Sequence, residues 1–167
     1  MPNQDLLDRT YMKMAQCWAT LSKAKRKQVG CLIVKDGAII SDGYNGTPSW
    51  FDNTCEWEEE LGTYPKDTPK DSREYQLVTK PEVLHAESNA ISKLAKSTQS
   101  SKNATLYSTC SPCLGCAKLI IQSGIIRAVY GEEYRDSDGL NLLKKAGIEI
   151  SFICERAWNS ISGMPAL

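Results

Sequence analysis

A mixed β-sheet with helices packed on both faces is the fold this sequence predicts, and three observations predict it. Two apolar, β-prone runs flank Asp36-Gly37 and read as a hairpin. From about residue 85 to residue 153, helical and strand patterns alternate, as parallel neighbours require, because each needs a crossover helix. Ahead of both, residues 5–22 carry apolar side chains at helical spacing. A chain of 167 residues suffices for one well-buried domain and is short for two. The expectation is one domain over 1–167, with a core at about 5–153, an irregular insert at about 49–84 and a tail at 154–167.

In the first helix, Leu7, Tyr11, Met14, Ala15, Trp18 and Leu21 form the stripe, and Asp5 is placed to cap its start. Lys23-Ala24-Lys25-Arg26-Lys27 follows, a basic cluster that is either a solvated face or a phosphate site. The hairpin strands cover 29–34 and 38–41. They lead into Gly43-Tyr44-Asn45-Gly46-Thr47-Pro48, whose glycines either serve a turn or admit a ligand close to the backbone. From Ser49 to about Val83 the pattern is irregular, and a short helix at 55–60 is left open. His85 begins the next helix, with Ala86, Ala90, Ile91, Leu94 and Ala95 on its apolar face and residues 99–102 ending it. A strand at 104–109 follows. Pro112 suits the opening of a helix that carries Cys116, Ala117, Ile120 and Ile121 and stops at Gly124. Then come a strand at 125–130, a helix at 138–146 capped by Asp136 or Ser137 and closed by Gly147, and a last strand at 148–153. The tail is loose or docks through Trp158 and Ile161.

Composition excludes several classes. Apolar residues make up 41% and charged residues 24%, as in ordinary globular proteins. Lys plus Arg and Asp plus Glu are 20 each, so the basic excess that usually accompanies duplex binding is missing. A small-molecule substrate fits better than nucleic acid. Met1-Pro2-Asn3-Gln4-Asp5 does not read as a secretory leader, and no apolar run approaches a membrane span. Seven cysteines, an odd number with two in a C-x-x-C, argue for a reducing, cytoplasmic setting rather than a disulfide framework.

The chemistry concentrates in His85-Ala86-Glu87 and Pro112-Cys113-Leu114-Gly115-Cys116. His85 is the only histidine. One imidazole and two thiolates with a fourth position open is a catalytic zinc arrangement, whereas a structural zinc is closed by four protein ligands. Cys110 is the nearest candidate to close it. A C-x-x-C alone reads more readily as a structural zinc or a redox pair, and a lone histidine as an ordinary core or surface residue. The combination, each half opening a helix, points to catalysis. Cys113 and Cys116 fall on one helical face in a first turn, where the helix dipole favours thiolates. Glu87, two residues past His85, is turned away from the ligand direction and is placed to shuttle protons.

His-x-Glu followed by Pro-Cys-x-x-Cys resembles the signature of zinc-dependent nucleobase deaminases, and the chain resembles the cytidine/deoxycytidylate deaminase superfamily. Gln28-Val29-Gly30-Cys31, the Gly43–Pro48 loop, His85–Ile91 and Cys116–Ile125 narrow the resemblance to the dCMP deaminase family across roughly residues 5–153. It implies a five-stranded mixed sheet in a three-layer α/β/α sandwich. It also implies hydrolysis of dCMP to dUMP and ammonia, with Glu87 passing protons between water, pyrimidine N3 and the departing amino group. By the same resemblance His85, Cys113 and Cys116 hold the catalytic Zn2+ and Asn45 binds the deoxyribose; some relatives hold a second zinc partly through histidines, and with no histidine left here one Zn2+ per chain is expected. The Ala86 N–H and the Thr109 carbonyl read the base. Ser22, Lys23, Arg26 and Tyr134 face the 5′-phosphate. Asn45 as a turn-former and Tyr134 as a packing residue are the plainer readings of those two. The family implies a homohexamer, activated by dCTP and inhibited by dTTP with a divalent cation such as Mg2+. Gly46, Thr47, Glu56 and Glu60 are the candidate regulatory positions. The competing readings are a deaminase of dCTP, of a 5-modified dCMP or of a base in nucleic acid, and a non-enzymatic zinc-binding module.

Overall fold

The computed structural model describes residues 3–154, so the docking expected of Trp158 and Ile161 lies outside the described residues. Helix α1 (Gln4–Ala19) precedes a hairpin of β1 (Gly30–Lys35) and β2 (Ala38–Tyr44). Asp36 and Gly37 have φ of 51° and 77°, the two positive values that a tight two-residue hairpin turn needs. Strands β3 (Glu56–Glu60) and β4 (Tyr75–Thr79) come next. The alternating part then runs α2 (Ala86–Leu94), β5 (Thr105–Ser108), α3 (Leu114–Gln122), β6 (Arg127–Tyr130), α4 (Asp138–Lys145) and β7 (Glu149–Phe152).

The main sheet has five strands in the order β2-β1-β5-β6-β7. β1 pairs antiparallel with β2 and β5, while β5, β6 and β7 are parallel, so the sheet is mixed as expected. Strand β1 is buried from Gly30 to Val34 because helices cover both of its faces. Leu32 and Val34 join Met12, Ala15 and Tyr107 beneath α1. Cys31 and Ile33 pack on the other side with Ala86, Ala90, Ile120 and Leu143 from α2, α3 and α4. The result is three layers, α1 against the sheet and the sheet against α2, α3 and α4.

Three expectations need correction. Asn3, not Asp5, caps α1: its side chain accepts the Asp5 N–H, which leaves Asp5 in the first turn opposite the helix dipole. The buried residues of α1 are Asp8, Met12, Lys13, Ala15 and Ala19, while Tyr11, Met14 and Trp18 of the expected stripe pack against that core only partly buried. Leu21 lies beyond the helix end and is 52% exposed. The insert is not structureless either, since β3 and β4 pair antiparallel into a separate two-stranded ribbon. Four of the five β3 residues are exposed, so no alternation of apolar and polar residues marked it as a strand.

Asp8 is buried in α1 because Arg127 of β6 answers it. Arg127 Nη1 and Nη2 donate to its two oxygens at 2.8 and 2.7 Å, and the Tyr107 hydroxyl donates at 2.7 Å. Arg127 also donates to Glu149 at 2.8 Å and to the Ser151 hydroxyl at 3.0 Å. This network pins α1 to the middle of the parallel strands. Among the described residues no helix is long and apolar enough to cross a membrane.

Candidate active site

His85 and Cys113 occupy the N-cap positions of α2 and α3, and neither side chain caps its own helix. Both are therefore free to turn towards each other, with Cys116 in the first turn of α3 completing the group. His85 Nδ1 lies 3.4 Å from Cys113 Sγ and 3.5 Å from Cys116 Sγ, and all three donor atoms fall within 4.8 Å of one another. Zinc–nitrogen bonds of about 2.0–2.1 Å and zinc–sulfur bonds of about 2.3 Å at tetrahedral angles imply an N···S separation of about 3.6 Å. The donor set thus fits zinc in both chemistry and spacing. Cys110 is buried but lies outside this group.

The Cys113 thiol is held down at about 3, first by the hydrogen bond from Cys116 and then by that with His85. Cys116 moves the other way because it donates to Cys113 and is itself buried. The hydrogen bond to Cys113 raises His85. Glu87 is only 3% exposed, and its Oε2 lies 3.6 Å from Cys116 Sγ. Burial pushes its carboxyl up to about 7, against the opposing pull of its own backbone N–H and of His85. A carboxyl that holds and releases a proton near neutrality suits a shuttle.

Two glycines allow the helices to come this close. At Gly43 of β2, a Cβ would sit 2.2 Å from the Ala86 carbonyl oxygen. The close approach seen here is therefore to α2, which carries Glu87. At Gly139 of α4, a Cβ would lie 1.9 Å from the Pro112 carbonyl oxygen and 2.8 Å from the Cys113 carbonyl carbon. Helix α4 is thus packed directly on the backbone that presents Cys113. Gly139→Ala is expected to weaken zinc binding about 10–100-fold, the effect typical of disturbing a ligand's support. Competition with a chromophoric chelator measures it, and unchanged affinity would show that the loop absorbs the methyl.

The group opens into a cavity of about 650 Å3. His85, Ala86, Glu87 and Cys113 line it, as do Asn45, Arg26 and Tyr134 from the expected substrate contacts. The Asn45 side chain also braces the loop before β1: Oδ1 accepts from Val29 N–H and Nδ2 donates to the Lys27 carbonyl, each at 2.8 Å. Ser22, Lys23 and Thr109 are not in the cavity wall. The Ser22 hydroxyl donates to the Asn45 carbonyl, Lys23 is exposed, and Thr109 exchanges hydrogen bonds with Gly30. Of the candidate regulatory positions, Gly46 bridges to Leu84 and the Thr47 N–H donates to Asn53. Glu60 pairs with Arg73 at 2.8 Å at the far end of the ribbon, and Glu56 alone lines the cavity.

A family model, the cytidine and deoxycytidylate deaminase zinc-binding region, matches residues 6–132. The chain belongs to this family. The deoxycytidylate deaminase of Saccharomyces cerevisiae is 37% identical over 144 residues, which cover 86% of this chain and 43% of the yeast protein. The deoxycytidylate deaminase of Enterobacteria phage T4 is 32% identical over 179 aligned positions, covering 92% of this chain and 93% of the phage protein. The chain thus spans less than half of the yeast relative and nearly all of the phage one. A crystal structure of dCMP deaminase from cyanophage S-TIM5 in complex with dCMP and dUMP superposes with a TM-score of 0.75 at 37% identity. It covers 92% of this chain and 99% of that one.

In this deaminase-family chain the cavity also gathers Lys27, from the basic cluster the sequence offered as a phosphate site, and two cations that sequence reasoning missed, Lys80 and Arg135. Lys27 pairs with Glu132 at 2.9 Å, and the Arg135 guanidinium lies 5.4 Å from the Tyr134 ring centre. Lys80 had no signal, since it is brought in by the ribbon. Arg135 had one, its place next to Tyr134.

Proposed function

We propose that this chain hydrolyses dCMP to dUMP and ammonia. The observation that carries the reading is the buried Glu87 carboxyl beside three zinc-type donors in a cavity that also holds Arg26, Lys80 and Arg135. His85, Cys113 and Cys116 would hold zinc, which when bound lowers the pKa of water and supplies a nucleophile at neutral pH. Glu87 takes a proton from the attacking water and delivers it to pyrimidine N3 as oxygen adds at C4. It then carries the second proton from that oxygen to the amino group, which leaves as ammonia.

The Ala86 N–H stands at the first position of α2, where no intrahelical partner is in reach, and would donate to the base. The Thr109 carbonyl, behind the cavity wall but next to the lining residue Cys110, would accept from its amino group. Asn45 would reach the deoxyribose through the lone pair and amide hydrogen it does not spend on Val29 and Lys27. Arg26 and Tyr134, backed by Ser22 and Lys23, would meet the 5′-phosphate. The names of the relatives, and the dCMP and dUMP in the cyanophage complex, support this assignment.

The same reading includes one deaminase domain over 1–167 and a homohexamer. It includes activation by dCTP and inhibition by dTTP with Mg2+ around Gly46, Thr47, Glu56 and Glu60, and a cytoplasmic role in pyrimidine deoxynucleotide biosynthesis. Ammonia release is to be measured with deoxycytidine, dCMP, 5-methyl-dCMP and dCTP, each with and without dCTP or dTTP as effector. Turnover greatest on dCMP is expected. Preference for dCTP or the methylated nucleotide would move the substrate assignment, and no turnover at all would favour a zinc-binding module. A flat response to both effectors would remove the regulatory part alone.

A further inference from the structure

The ribbon does more than extend from the body, because its β4 end and the residues after it wall the cavity through Val78, Thr79, Lys80, Pro81 and Val83. Facing them is Glu56, 8% exposed at the start of β3. Both Glu56 carboxylate oxygens accept the Lys25 N–H at 3.1 Å, and Oε1 also accepts the Arg26 N–H at 3.2 Å. Thr79 is the cross-strand partner of Glu56, and its hydroxyl accepts from Arg26 Nη1 at 3.2 Å. One residue pair of the ribbon therefore grips Arg26 twice, by its backbone and by its guanidinium.

We propose that Glu56 is a positioning residue that, acting through Arg26, sets the preference for a 5′-monophosphate over the bare nucleoside. This rests on the deaminase reading above. The basic loop is exposed at Lys23 and from Lys25 to Gln28, and a loop of that kind must be ordered before it can grip an anion. Ordering cost subtracts directly from affinity. Two consecutive N–H groups on one carboxylate make charge-assisted bonds that order the loop in advance. Glu56→Gln keeps the size of the side chain but turns one acceptor into an amide donor that faces N–H groups.

The kinetic test compares wild type, Glu56→Gln, Arg26→Ala and the double variant on dCMP and deoxycytidine. Glu56→Gln is expected to raise KM for dCMP about tenfold, the loss of one hydrogen bond to a charged group, with kcat on dCMP and kcat/KM on deoxycytidine near wild type. In the Arg26→Ala background the same change should add little, since residues acting as a unit are not additive. Equal losses on both substrates, or additive effects on the dCMP preference, would overturn the proposal by making Glu56 a general fold residue. A second measurement, calorimetric titration of the zinc-loaded protein with inorganic phosphate, does not depend on turnover. Glu56→Gln should bind phosphate several-fold more weakly than wild type, and equal affinity would overturn the proposal even if wild type deaminates dCMP well. If wild type failed to turn over dCMP, the deaminase reading would fall by itself, and the phosphate titration would still decide the role of Glu56.

Discussion

Glu87→Gln is expected to lose about 10²–10⁴-fold in kcat, the usual worth of a positioned general acid–base group, while keeping its zinc and its melting temperature. The amide matches the carboxylate in shape but cannot take a proton from water and return it to a ring nitrogen or a leaving amine. None of the three donor atoms belongs to Glu87, so metal analysis should find the same stoichiometry in both proteins. Stability should not suffer, because Glu87 is 3% exposed and burial already disfavours its charged form. A neutral amide avoids that penalty, and a melting temperature equal to or above wild type is the expected sign of a residue kept for chemistry at some cost to the fold. Substantial turnover in a zinc-replete Glu87→Gln protein would mean that another group moves the protons.

Asp8→Ala is expected to cost about 3 kcal/mol of folding free energy, towards the low end for breaking a buried ion pair. The change leaves the Arg127 guanidinium, 14% exposed, without two of its three carboxylate contacts. Glu149 and Ser151 still receive hydrogen bonds from it, which keeps the loss from being larger. Against a typical total of about 5–15 kcal/mol the effect is easily read from urea denaturation. The pH dependence has a definite sign. Burial by itself raises the Asp8 carboxyl, but hydrogen bonds from Arg127, Tyr107 and Gln4 outweigh it and hold the group below its ordinary 3.8. Its folded pKa thus lies below the unfolded one. The stabilisation is complete above about pH 4 and fades as pH falls through the folded value. The gap between wild type and Asp8→Asn should therefore be constant near neutrality and close in acid. A gap that persisted unchanged at pH 2 would show that the ionised pair contributes little.

What could be read in advance was local. Asp36-Gly37 carries its turn geometry in two residues, and the spacing of His85, Glu87, Cys113 and Cys116 along two helix starts foretells that the four meet in one group. What could not be read depends on distant partners. Asp8 occupies the centre of the buried face of α1 because Arg127, 119 positions later, neutralises it. A hydrophobicity pattern has no means of placing a carboxylate there. The ribbon was hidden for a related reason, since Glu58, Glu59 and Glu60 are solvated and only pairing with β4 makes them a strand. Lys80 and Glu56 reach the cavity through that pairing alone.

The proposed metal donors and proton carrier all come from a short α2–β5–α3 stretch, Glu87 included, while the other cations of the cavity come from the loop before β1, the ribbon and the turn after β6. Bond-making and molecular choice are thereby written in separate pieces of chain. Exchanging the ribbon and the basic loop for those of a relative should retune which nucleotide is accepted, with the reaction itself inherited unaltered.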